Sequence, residues 1–144
     1  MKRHEAIVPL SRDHHSTLIL AQLLKKNAPV YKGLPDTTEG KAKYALELFQ
    51  NSIQKHFQQE EEMLELAKDC NVEVNTIARE IKTEHRELTA LFHSLETAID
   101  LTSTMDTLGV SLEKHIRKEE RILFPLLQLH CSDEQFKEIS KLLH

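Results

Sequence analysis

The sequence predicts an all-α fold, an antiparallel up-down-up-down four-helix bundle with a short C-terminal helix. Three observations carry that expectation. Four long segments place apolar residues at three-and-four spacing. Only three glycines and four prolines punctuate the 144 residues, too few for a turn-rich sheet. The breaks between consecutive segments are short, so successive helices must fold back on one another. By its length the whole chain, residues 1–144, is expected to form a single domain.

The first predicted helix runs from about Leu10 to Asn27, and Pro29, Gly33 and Pro35 form the connector that follows it. The second begins near Asp36 or Thr37, where Asp36 and Glu39 have capping-box spacing, and continues to about Asp69. Its inner stripe is Ala45, Phe49, Ile53, His56, Glu60, Met63 and Ala67. After a break around Asn71, the third aligns Ile77, Ile81, His85, Leu88, Phe92 and Leu95 on one face. The fourth starts after Thr102-Ser103-Thr104 and aligns Leu108, Leu112, His115, Glu119, Ile122 and Leu126. Pro125 is expected to kink or weaken its last turns. Ser132 and Gln135 have capping-box spacing, which predicts a terminal helix carrying Phe136, Ile139, Leu142 and Leu143.

Composition narrows the function classes. The net charge is −4 and the basic residues are scattered, so no stripe exists to neutralise nucleic-acid phosphates. The N-terminus leads into no apolar signal core, and no run is long enough to cross a bilayer, so a cytoplasmic protein without a membrane partner is expected. Cys70 and Cys131 form no CxxC pair and are expected to be reduced thiols.

Nine histidines are the unusual feature, and each of the four stripes is interrupted by one. On the second and fourth helices a glutamate follows four residues later, in His56-xxx-Glu60 and His115-xxx-Glu119. Residues four apart lie one above the other on a helix face, so each pair aims two ligating side chains into one space. On the first helix the wheel set by Leu10, Leu18, Ala21 and Leu24 favours His14, with His15 turned about 100° away. His4, His93, His130 and His144 fall off the stripes or near chain ends.

The heights along the bundle also agree. From the first His/Glu pair to the end of its helix, and from the start of the third helix to His85, the chain travels about 11 residues each way, roughly 16 Å. Between His85 and the His115/Glu119 pair the two arms differ by about one turn, and about 14 residues follow His14 against about 20 before the first pair, the surplus lying where the second helix would overhang. Two buried carboxylates need partners, and a cation supplies one to all six groups together. His14, His56, Glu60, His85, His115 and Glu119 are therefore the expected ligands of a di-metal site. A donor set of four imidazoles and two carboxylates suits iron, zinc, manganese or copper over magnesium and calcium. The neighbouring Glu61, Glu62, Glu84 and Glu120 are expected to be solvated or to orient the imidazoles.

These residues resemble the hemerythrin-like, or HHE cation-binding, domains. Ser11-Arg12-Asp13-His14-His15, the His56/Glu60 pair, Glu84-His85 and His115-xxx-Glu119-Glu120-xxx-Phe124-Pro125 match its motifs in order. The resemblance implies two irons, oxo- or hydroxo-bridged, held inside the bundle by those six residues, with zinc or manganese as alternatives. The expected partners are metal ions and a small diatomic ligand. Two departures stand out. Thr89 occupies the place of a second histidine found in oxygen-carrying relatives, and Glu119 lies four residues after His115 where those relatives have an aspartate at five. Reversible oxygen carriage of that type is therefore not implied. The expected function is binding or sensing of O₂, NO or iron. The alternative is an enzyme acting on NO or peroxide, or in iron-sulfur cluster repair. No ExxH spacing, HExxH, P-loop or GxSxG motif offers another template.

Overall fold

The computed structural model describes residues 2–144, folded into five helices with no strand among the described residues. A 3₁₀ turn, Glu5–Ile7, leads into α1 (Val8–Leu24), whose first turn holds Pro9 where a missing N–H costs nothing. Helix α2 spans 38–66 and is continuous through a π-helical turn at Phe49–Ile53. Helix α3 is Val72–Ser94. Helix α4 spans 101–130 with a second π-helical turn at Glu119–Leu123, and α5 is Asp133–Leu143.

The caps explain where the helices begin. The Thr37 hydroxyl, rather than Asp36, accepts the Gly40 amide to start α2. Asn71 accepts from the Glu73 amide at 2.8 Å to start α3. The fourth helix starts at Leu101, ahead of the expected Thr102-Ser103-Thr104, because the Asp100 carboxylate accepts from the Ser103 amide. The Ser132/Gln135 capping box is present as read. Two helices end sooner than expected, at Leu24 and Leu66. Asn27 and Asp69, at φ 62° and 65°, turn the chain just beyond them.

Helix α1 packs along α4 and α2, and α3 packs along α2 and α4, which closes a four-helix ring. Helix α5 lies against α2 and the entry turn of α1. The apolar core falls into two clusters. One gathers Leu20, Phe49, Phe92, Leu108 and their neighbours, and the other gathers Leu10, Met63, Ile81, Phe124 and Ile139 among others. Between them lies a buried polar layer of His14, Thr17, His56, Glu60, His85, His115 and Glu119.

The π-helical turns correct the expected fourth stripe. One extra residue in the turn at Glu119–Leu123 rotates everything after it, so Ile122 is 45 % exposed and Leu126 only half-buried. Leu123, Phe124 and Leu127 fill the core instead. The same turn accommodates Pro125. The Phe124 amide bonds the Glu119 carbonyl, leaving the Glu120 carbonyl facing a proline that has no N–H. The Arg3 guanidinium donates to that orphaned carbonyl at 3.0 Å.

At Gly109 helix α4 comes close against the backbone of α1. A Cβ there would lie 2.7 Å from the Ala21 carbonyl oxygen, a backbone atom that cannot swing away. Overpacking costs ~1–3 kcal/mol, against ~1 kcal/mol of helix propensity gained. Gly109→Ala should therefore lower stability by about 1 kcal/mol, read as a reduced denaturation midpoint. An unchanged or higher midpoint would contradict the packing.

Cys70 and Cys131 sit in the connectors before α3 and α5 with their sulfurs 3.5 Å apart, and both are free thiols. Burial and the adjacent Cys70 sulfur push the Cys131 thiol up to about 12. It stays protonated at neutral pH, a state that neither ligates metal nor attacks well. Among the described residues no helix is long and apolar enough to cross a membrane.

Candidate metal centre

Each bundle helix delivers part of the polar layer. Helix α1 supplies His14, α2 His56 and Glu60, α3 His85, and α4 His115 and Glu119. All six residues expected from the sequence are brought together and buried, the two glutamates completely. They form two overlapping groups, His14/His56/Glu60/Glu119 and Glu60/His85/His115/Glu119. Within each group one ligand atom per residue lies within 4.8 Å of the others. Glu60 divides its oxygens between the groups. One lies 3.1 Å from His56 Nε2 and 3.5 Å from His14 Nε2, and the other 2.9 Å from His85 Nε2. Glu119 Oε1 stands 3.0 Å from His14 Nε2 and 3.3 Å from His115 Nε2.

The outward nitrogens are all held. His14 Nδ1 meets Glu120 at 2.6 Å, His56 Nδ1 meets Asp13 at 2.9 Å, and His85 and His115 Nδ1 meet Glu61 and Glu84 at 2.8 Å each. A carboxylate accepting the Nδ1 proton turns the Nε2 lone pair inward, the form that ligates metal. Glu61, Glu84 and Glu120 thus contact the imidazoles as expected. Glu62 does not, being exposed and accepting from Gln58. Asp13 escaped the sequence reading, although it directly precedes His14. Aromatic rings pack the imidazoles from the side. Phe57 stacks on His85 at 4.2 Å, and Phe124 lies parallel to His14 at 5.6 Å.

The other histidines lie apart. His15, His93, His4 and His144 are exposed, and His130 faces Asn71 at the far connector. Half-buried Thr89 shares a surface groove with Phe57 and His85 and brings no imidazole to the centre.

The electrostatics draw positive charge into the layer. Burial opposes charge on His14, but Glu119, Glu120 and Glu60 outweigh it and push its pKa up to about 12. Burial is likewise overcome at His56, where the charge of Glu60 and the bond to Asp13 raise it to about 10. Burial and the charge of Glu60 lift Glu119 to about 7. Without metal, two buried carboxylates draw protons onto the imidazoles, so protons and cations compete for the same atoms. Proton sharing does not satisfy the site. His14, His56 and His115 Nε2, Glu60 Oε2 and both Glu119 oxygens approach one another without hydrogen-bond alignment and have no partner. Buried polar atoms are rarely left so, and four imidazole nitrogens with two carboxylates fit a borderline transition metal.

A helical bundle with a buried His/Glu centre flanked by two apolar clusters has the residues to hold a cation. The hemerythrin HHE cation binding domain family matches residues 5–127 and, in a second match, 76–143. The chain belongs to this family. Comparison with curated proteins and with solved structures gave no significant match.

Proposed function

We propose that residues 1–144 act as one domain that holds two iron ions side by side and binds or senses a small ligand such as O₂ or NO. His14 and His56 would hold one ion, His85 and His115 the other, and Glu60 and Glu119 would bridge them. The observation that supports two ions over one is that Glu60 and Glu119 belong to both groups, with the oxygens of Glu60 divided between them. A bound iron pair would supply one-electron redox chemistry and open coordination positions. Two histidines and two shared carboxylates would leave each ion short of six protein ligands, and Thr89 would add none.

The chain's own residues supply position and exclusion. The four outer carboxylates fix the imidazoles, while Phe57, Phe124 and the two apolar clusters keep bulk water from the layer. Exposing reduced, iron-loaded protein to O₂, NO and peroxide in excess separates the readings. A stoichiometric spectral change that then stops is expected; sustained consumption would replace this reading with a catalytic one. Zinc in the same residues would keep the site and abolish the response.

A further inference from the structure

Each outer carboxylate sits on the helix before the histidine it holds. Asp13 of α1 holds His56 of α2, Glu61 of α2 holds His85 of α3, Glu84 of α3 holds His115 of α4, and Glu120 of α4 holds His14 of α1. The four bonds run once round the bundle and close. The sequence dictates this hand. A step of one residue turns a side chain about 100° from the axis-facing position toward a neighbouring helix. On α1 and α3 the carboxylate precedes the inward residue, in Asp13-His14 and Glu84-His85. On the antiparallel α2 and α4 it follows, in Glu60-Glu61 and Glu119-Glu120. Reversing both the chain direction and the step leaves the sense of rotation unchanged, so all four carboxylates lean the same way.

The ring is anchored unevenly. Glu84 accepts from Lys118 at 2.7 Å, and Lys118 is itself fixed by Glu80 at 2.8 Å. Glu120 accepts from Ser11 at 3.0 Å and lies 3.5 Å from the Arg3 guanidinium, which also holds the Glu120 carbonyl. Their side chains are 27 % and 26 % exposed. Asp13 and Glu61 are 50 % and 42 % exposed and have no second side-chain partner among the described residues. Each half of the centre therefore pairs one firmly held imidazole, His14 or His115, with one loosely held, His56 or His85.

We propose that Asp13, Glu61, Glu84 and Glu120 are positioning residues that act as a closed ring, with Glu84 and Glu120 setting the affinity of the two metal positions and the α2–α3 side, at His56 and His85, being where metal is exchanged. This rests on the two-metal reading above. The test uses zinc, which is diamagnetic, with competition against a chromophoric chelator and histidine-¹⁵N spectra of the zinc-loaded chain. Glu84→Ala and Glu120→Ala should weaken zinc about 100-fold and Asp13→Ala and Glu61→Ala about 10-fold. Glu84→Gln, which keeps an acceptor, should recover part of the loss. Lys118→Gln replaces no proposed ligand and removes an ammonium that contacts Glu80 and Glu84, yet should weaken zinc and broaden the His115 Nδ1–H signal. In the wild type the His56 and His85 Nδ1 protons should exchange faster with water than those of His14 and His115. Wild-type affinity in all four alanine variants, or uniform exchange, would overturn the ring while leaving the two-metal site intact. A wild type that takes up no zinc would overturn both.

Discussion

Glu60→Ala should empty both halves of the centre, taking bound metal from about two ions per chain to almost none, whereas His56→Ala should remove about half. The difference follows from membership. Glu60 stands in both ligand groups and offers an oxygen to each, while every histidine stands in only one. Losing Glu60 also strips the inward carboxylate from the Nε2 atoms of His56 and His85, leaving Glu119 as the one carboxylate inside the buried layer. Glu119→Ala should match Glu60→Ala. His93→Ala is the control, since that ring is exposed and packs edge-on against Phe49. Metal analysis of each variant after dialysis gives the answer, and equal retention by Glu60→Ala and His56→Ala would break the shared-ligand geometry.

Removing metal should lower the melting temperature steeply. A ligand that binds only the folded state, at a thousand times its dissociation constant, adds about 4 kcal/mol per site. For a chain of this size each kcal/mol moves the melting temperature by about 2–4 °C, so each filled position is worth on the order of 10 °C. The apolar clusters on either side keep the metal-free bundle folded, but its central layer is left with six partnerless polar atoms. Melting with and without added iron(II) or zinc measures the effect, and Glu60→Ala should abolish the response. Identical melting curves for stripped and loaded wild type would mean that no metal couples to this fold.

The four long helices were legible because apolar residues at three-and-four spacing can bury themselves only on one helical face, and Ile81, His85, Leu88 and Phe92 show that pattern without interruption. The six inward residues were legible for the same reason, since a histidine on such a stripe has nowhere to point but inward. The π-helical turns were not legible. Periodicity reasoning assumes 3.6 residues per turn, and the extra residue at Glu119–Leu123 put Ile122 on the surface and Leu123 in the core. In α2 the stripe already stepped by fours from Ala45 to Phe49 to Ile53, which absorbed the turn unnoticed. Asp13 was missed because its role depends on which helix neighbours which and in what direction. Once the antiparallel order is known, the alternation Asp13-His14, Glu60-Glu61, Glu84-His85, Glu119-Glu120 points to it.

Whether one buried layer holds two metal ions is answered by elemental analysis of freshly purified protein. Close to two ions per chain, mainly iron, are expected, with Glu60 and Glu119 shared between them. Protein that is folded and metal-free, or that saturates at a single ion, would contradict the two-ion reading.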